Sequence, residues 1–417
     1  MRVLFHLSLV SSVLAFTPGF PYGSTKVRGV NLGGWLVLEP WITPSLFDDT
    51  GNANIIDEYT FGKLQNKATA TATLKTHWDT WITEADFKAI KAAGLNHVRL
   101  PIGYWAFEVG PGEPYIQGQL PYLTKAITWA TNNGLKLIID LHGYACSPGS
   151  QNGFDNSGQK LSFPGWHSNS TNVKRTNDII KTIANMVKNN VANVPIIAPL
   201  NEPAGFYGDD VLTGTILGET QVSIRFPFGT SQQSNTVVMI HDAFQPLSYW
   251  NGVLAYPQYE GVAMDTHIYT IFSVPEVQMS EQQHIDTVCA KGSSLASFGL
   301  WTVVGEWTPA RTDCAKYLNG RGVGSRYDGT YPGTSGTRVG SCSGLSGSAS
   351  SFSSSYKTYL RRFWEAQVQT YERGAGWCAW TWKTEAGTGE EWSYQKGLQF
   401  GWIPQNPTSY QFPNACG

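Results

Sequence analysis

Residues 194–203 read VPIIAPLNEP. Val194 to Leu200 is a short apolar run, the form of a strand buried on both faces of a parallel sheet. It ends in Asn201, Glu202 and Pro203, which sets an amide and a carboxylate at the tip of a core strand. One such tip means little, since polar residues mark the ends of most strands. The question is whether other strands do the same. Seven further apolar runs have this form: Val27–Trp35, His97–Tyr104, Lys136–Gly143, Thr236–Phe244, Gly261–Tyr269, Leu300–Thr308 and Gly376–Glu385.

Helical patterns lie between the runs. Thr83–Ala93 opens on Thr83 and Asp86, the spacing of a capping box, and is followed by Gly94. Pro121–Asn133 carries its proline in the first turn. Asn172–Asn193 repeats Ile179, Ile180, Ile183 and Val187 at helical spacing. Glu281–Ser297 and Ser353–Arg373 complete the set, and the pattern leaves the helix after the fourth run unclear. Eight strands alternating with helices predict an α/β fold, a (β/α)8 TIM barrel, as one catalytic domain over residues 16–417 with elaborated loops at the C-terminal face. An open doubly wound sheet would show a glycine-rich phosphate turn after its first strand. NLGGW at 31–35 lacks GxGxxG, and no helix opens there.

In a barrel the C-terminal strand ends share one rim, where chemistry belongs. The first run leads to Trp35 and Glu39, and the second carries Arg99. The third ends in Asp140 and His142, and the sixth in Asp265, His267 and Tyr269. The seventh ends in Glu306, and the eighth carries Trp380 and Trp382. Glu202 and Glu306 both follow strong apolar lead-ins. Two carboxylates across a substrate are what acetal hydrolysis needs, one protonated to release the leaving oxygen and one ionised to attack or to activate water. Environment sets which is which, so the pattern alone leaves the two glutamates interchangeable.

The totals agree. The chain has 417 residues, 41% hydrophobic and only 14% charged, with a net charge of −2 and 16 tryptophans. No basic excess exists to hold a nucleic acid. Flat aromatic rings suit the C–H faces of sugars as well as a core. Residues 1–15 read as a secretory signal peptide, with Arg2, an apolar stretch to Leu14 and small residues at a cleavage site near Ala15. No later stretch is long and apolar enough to span a bilayer, so a soluble, secreted, monomeric protein is expected, extracellular or wall-associated. Asn169-Ser170-Thr171 is a sequon for an N-glycan at Asn169. Six cysteines in an oxidising compartment suggest disulfides. Of these, a bond between Cys314 and Cys342 would anchor the Ser/Gly-rich stretch 333–355, and Cys378 sits in an apolar run as a buried thiol. A metal site would draw on His142, His267, Asp140 and Asp265, but that leaves both glutamates without a role. No metal and no cofactor is expected.

At these residues the chain resembles glycoside hydrolase family 5, and within it the fungal exo-β-1,3-glucanase branch. The resemblance is carried by RGVNLGGWLVLEPWITPSLF (28–47), GLNHVRLPIGYWAF (94–107), GSQNGFDNSG (149–158), LNEP (200–203), DTHIYTIF (265–272), VVGEWTPARTDCAKYLNG (303–320) and WTWKTE (380–385). It implies a retaining mechanism with Glu202 as acid/base and Glu306 as nucleophile, acting on β-1,3-glucan with possible transfer to a sugar acceptor. It implies a pocket for a terminal glucose from Glu39, Arg99, His142, Asn201, His267, Tyr269 and Trp382, with Phe154 and Phe272 clamping the next sugar and Asp155 and Asn156 beside them. Tyr144 to Ser147 look inserted, and GTGEEW (387–392) looks expanded. Another retaining β-glycosidase, such as an endo-β-1,6-glucanase or a small-glucoside β-glucosidase, and a non-catalytic glucan-binding wall protein are the competing readings.

Overall fold

The computed structural model describes residues 16–143, 166, 169–207, 222–229, 232–334 and 336–417. The expected signal peptide at 1–15, the stretch 144–147 that looked inserted, and Cys146, Phe154, Asp155 and Asn156 lie outside the described residues. Eight parallel strands close a barrel in sequence order: β1 Val27–Asn31, β2 His97–Gly103, β3 Lys136–Gly143, β4 Ile196–Ala198, β5 Val237–His241, β6 Val262–Ile268, β7 Trp301–Trp307 and β8 Gly376–Ala379. β8 pairs with β1 through Val27 and Gly376, which removes both sheet edges. This is the predicted (β/α)8 architecture.

The helices follow their sequence signals with shifted ends. Glu84–Ala92 begins at the Thr83–Asp86 capping box. Ser170–Val187 starts at Asn169, whose Oδ1 accepts from the Thr171 N–H at 2.9 Å, so the sequon asparagine is also a helix cap. Ser354–Tyr371 is capped by Ser353. The single helix expected over 281–297 is two, Glu281–Cys289 and Gly292–Ser297. Gly292 stands at the break, and the first helix ends on Cys289, which is bonded to Cys416. The Cys314–Cys342 bond is present, and Cys378 is a free, buried thiol. Among the described residues no helix is long and apolar enough to cross a membrane.

The barrel interior is layered. Its lower layers are apolar, from Val27, Ile138, Ile196, Val237, Met239, Ala263, Val303 and Cys378. The bottom is stoppered by the segment before β1. Phe20 stands edge-on to His97, their ring centroids 4.5 Å apart, and the Tyr22 hydroxyl lies 3.2 Å from His97 Nε2. Burial pulls the His97 pKa down to about 3, so it packs as a neutral ring. Two residues further up, the inward positions of five strands turn polar: Asn31, Arg99, Asp140, His241 and Asp265. Strand alternation brings every second side chain inward, so the change of chemistry up the strands becomes a polar layer just under the rim.

β7 reaches that layer through an irregularity. Thr266 pairs with Val304, but His267 pairs with Glu306, so Gly305 is the extra residue of a bulge. A Cβ on Gly305 would meet Asp265 Oδ1 at 2.0 Å, so only glycine fits there. Bulges re-aim side chains, and this one turns Glu306 inward, where strict alternation from Val303 would have sent it outward.

Candidate active site

Arg99 is the hub of the polar layer. It is fully buried, and its Nη1 donates to Asn31 Oδ1 at 3.0 Å and to Glu306 Oε1 at 2.8 Å. Its Nη2 donates to Asn201 Oδ1 at 2.8 Å and lies 3.2 Å from Asp140 and 3.6 Å from Asp265. Burial works against the charge, but Asp140, Glu306 and Asp265 outweigh it and hold the guanidinium pKa above its ordinary value. The fork geometry of arginine lets one side chain fix an amide and a carboxylate at once. Asn31, which the sequence reading passed over on the way to Trp35, also donates to Gly305 O at 2.8 Å and so holds the bulge.

Glu202 and Glu306 converge on one imidazole. His267 Nδ1 lies 2.6 Å from Glu202 Oε1 and 3.5 Å from Glu306 Oε2. Glu202 sits in the left-handed backbone region, φ 44°, a conformation costly for a non-glycine residue and typical of functional sites. Burial alone would strip the proton from His267. The charges of Glu306 and Asp265 and the hydrogen bond to Glu202 prevail and hold its pKa well above the ordinary histidine value. The Tyr269 hydroxyl donates to Glu306 Oε2 at 3.0 Å. Burial, then the charges of Glu306 and Glu202, push its pKa well up, so it stays a phenol donor. His142 Nδ1 donates to Asp140 Oδ2 at 2.8 Å, and its ring stacks on Trp380.

Above this layer opens a cavity of about 440 Å³. Glu39, Glu202, His267, Tyr269, Phe272 and Glu306 line it, while Arg99, His142 and Asn201, placed in the same pocket by the resemblance, are buried and do not line it. Glu39 is aimed by two donors, Gly34 N and Trp41 Nε1, each at 3.0 Å. Gly34 has φ 68°, which explains the second glycine of NLGGW. The expectation for Trp382 is corrected. It is buried in the core with its Nε1 donating to Asp86 at 2.9 Å, and Trp380 lines the cavity instead. β8 ends at Ala379, so the two tryptophans do not share a strand face. Trp380 N bonds Trp307 O, and Trp382 N bonds Asn31 O. Trp380→Ala should therefore lower kcat/KM by more than tenfold and, because the ring is itself buried in an apolar cluster, also cost about 3–5 kcal/mol of stability. Trp382→Phe should leave the kinetics near normal and cost stability, about 1 kcal/mol for the lost hydrogen bond and more for the space the smaller ring leaves in the core.

The sequence reading missed half of the cavity wall. Trp41 and Trp392 pack together at 4.9 Å, Phe244 stands at the mouth, and Leu318, Asn319, Arg326 and Tyr331 come from the long connection after β7. Trp392 closes the GTGEEW stretch that looked expanded, the one signal available beforehand.

Among the described residues one group could share a cation: Glu202, His241 and His267 offer atoms within 4.8 Å of one another. The His267 nitrogen nearest Glu202 is already engaged in their 2.6 Å hydrogen bond, and a protonated imidazole is no ligand. The four residues considered for a metal from sequence are instead tied to Arg99 and to one another: Asp140 to His142, Asp265 to His267.

A buried carboxyl braces the site from behind. Glu58 accepts from Leu38 N and Trp105 Nε1, both at 2.8 Å, and so fixes the residue before Glu39. Burial raises its pKa from 4.5 to about 8. As pH rises from 4.5 toward 8 the unfolded chain sheds this proton while the fold keeps it. The contribution of this group to stability is therefore lost as pH rises across that window, and Glu58→Gln should remove that pH-dependent part in urea titrations run at several pH values.

The family model described as cellulase, glycosyl hydrolase family 5, matches residues 63–225. A glucan 1,3-β-glucosidase of Blumeria graminis is 46% identical over 95% of this chain and 91% of its own. A probable glucan 1,3-β-glucosidase A of Aspergillus niger is 44% identical over 95% and 92%. In fold, the chain is similar to a rutinosidase from Aspergillus niger, with a TM-score of 0.67 at 21% identity over 91% of this chain and 98% of that one.

Proposed function

The chain belongs to glycosyl hydrolase family 5 and is a glycoside hydrolase of the glucan 1,3-β-glucosidase type, and from that premise we propose a retaining, end-directed cleavage of β-1,3-glucan carried by Glu202 and Glu306. Glu306 attacks the anomeric carbon of the terminal glucose while Glu202 gives its proton to the leaving oxygen. Water, deprotonated by Glu202, then opens the glucosyl ester and releases glucose, and a sugar hydroxyl in place of water gives transfer. What supports this assignment is the contact of one nitrogen, His267 Nδ1, with both carboxylates. The two oxygens concerned are no farther apart than those two distances together. That fits the retaining separation of about 5–5.5 Å better than the inverting one of about 6.5–9.5 Å.

The partners of Glu306 fit its role. Glu306 accepts hydrogen bonds from Arg99 and Tyr269, which hold its carboxyl group in a fixed orientation at the cavity floor. Glu39 and Trp380 offer a hydroxyl acceptor and a ring face to the terminal sugar, and Phe272, Trp392 and Trp41 offer apolar faces further out. Phe154, Asp155 and Asn156 are assigned to the next sugar on the resemblance alone. Residues 1–15 are a leader removed on secretion, residues 16–417 are the catalytic domain, and the mature monomer acts outside the cell or at the wall with a glycan on Asn169. The product profile over time on laminarin and pustulan tests the reading. Glucose as the sole early product from laminarin supports it, and release of oligosaccharides from pustulan favours the endo-β-1,6 alternative.

A further inference from the structure

β5 contributes a histidine that neither the strand-tip pattern nor the mechanism above uses. His241 ends β5 with its side chain buried, and its ring stands perpendicular to that of His267, centroids 4.4 Å apart. The next two residues, Ala243 and Phe244 after Asp242, both have left-handed backbones, φ 51° and 62°. Two consecutive non-glycine residues in that region persist only where their surroundings hold them. Here two side chains do so: His241 Nδ1 accepts from Ala243 N at 2.9 Å, and Asp242 Oδ1 accepts from Phe244 N at 2.9 Å.

The first of these bonds fixes the chemistry of His241. A ring nitrogen that accepts an N–H carries no proton of its own, so the neutral ring bears its hydrogen on Nε2. That Nε2 is buried and makes no hydrogen bond among the described residues. Unsatisfied buried donors are rare in folded proteins and mark places where a partner arrives or a group changes state. A nitrogen of this ring lies within 4.8 Å of a Glu202 carboxylate oxygen and of a His267 nitrogen.

We propose that His241 is a positioning residue for the acid/base step, its Nε2–H directed toward the Glu202–His267 pair and favouring Glu202 as a carboxylate once its proton has gone to the leaving oxygen. The inference rests on the reading of Glu202 as acid/base. During glycosylation the O–H bond of Glu202 breaks, its proton bonds to the leaving oxygen, and the electron pair stays on the carboxylate. At that moment Glu306 becomes a neutral ester, so the new negative charge belongs to Glu202 and is met by donors on its own side. His267 supplies one, and His241 supplies the next.

The groups facing His241 allow this role. His267 and Asp265 approach from β6, Arg99 from β2, Glu202 from beyond β4 and Asp242 from its own turn, with Glu306 and Tyr269 behind His267. Burial, with the charge of His267 adding to it and Asp265 opposing, holds His241 neutral, so it donates a hydrogen bond without adding a second cation beside His267.

The test is the pH dependence of kcat/KM on a laminari-oligosaccharide, where the alkaline limb reports loss of the proton from the general acid. His241→Phe removes the donor and should move that limb upward by about half to one pH unit, since a carboxylate with fewer donors holds its proton longer. His241→Gln carries an amide nitrogen to the position of Nε2 and should bring the limb back. A lowered rate with the limb unmoved in His241→Phe overturns the proposal, because a packing role changes rate without changing titration. Glu202→Gln is measured beside them. If it loses the limb while His241→Phe leaves it in place, only this inference falls. If it keeps wild-type activity and the limb, the assignment of Glu202 falls and this inference with it. Should His241→Phe not fold, nitrogen-15 shifts of the unaltered protein decide. A protonated Nε2 with a bare Nδ1 on His241 supports the proposal, and the opposite tautomer overturns it.

Discussion

Glu306→Gln is expected to lower laminarin turnover by about 10⁴-fold or more while the protein stays folded. The amide fills the same space but cannot form the glucosyl ester, so the two-step route closes at its first step. The fold should survive because Arg99 still faces Asp140 and Asp265, and Tyr269 can still donate to the amide oxygen. Glu202→Gln differs in kind. An aryl glucoside with a good leaving group needs no acid, so its first step continues, and the ester then accumulates for want of a base. Azide separates the two roles by stereochemistry. With Glu202→Ala it attacks the ester and gives β-glucosyl azide, and with Glu306→Ala it takes the place of the missing carboxylate and gives the α anomer. Near-normal turnover in purified Glu306→Gln would sink the nucleophile assignment, and reversed anomers would exchange the two roles.

Arg99→Met should cost the fold about 3–5 kcal/mol, the range for removing one partner of a buried charge network. Without the guanidinium, Asp140, Asp265 and Glu306 are left to His142, His267 and Tyr269 to answer them, and the Oδ1 atoms of Asn31 and Asn201 lose the Arg99 donor. Arg99→Lys should fall between wild type and Met, because an ammonium keeps the charge but cannot reach five partners as the planar fork does. Urea midpoints at constant m-value measure this. A loss under 1 kcal/mol for the Met variant would mean that Arg99 does not hold the layer together.

The barrel and its polar layer were legible in the sequence for one reason. Strands with strict alternation carry a composition change along their length, so LNEP, IIDLHG and DTHIY can be read as tips of core strands. The chain positions in this layer follow from the strand period, which a reader can count. Glu306 was found by its apolar lead-in, although the bulge at Gly305 that turns it inward leaves no mark beyond a glycine. Asn31 was lost because the first run was carried on to Trp35, four residues past the strand end. The exchange of Trp382 for Trp380 has the same origin, a strand drawn too long. Trp41, Trp392, Phe244 and Tyr331 were out of reach because they stand on connections with no period, and their convergence depends on long-range packing.

The stoppered floor of the barrel has an outcome for how the enzyme meets its surroundings. Phe20, Tyr22 and the apolar layers above them close the polar layer from below. Dissolved ions screen only the charges they can surround, over about 8 Å at physiological ionic strength. The field of Arg99 and its carboxylates is shut away from them on the floor side and meets them only through the cavity above, and a neutral polysaccharide approaching a chain of net charge −2 gains little from long-range attraction. Hydrolysis should therefore be nearly indifferent to salt, and the same rate should hold in dilute medium and within a brine.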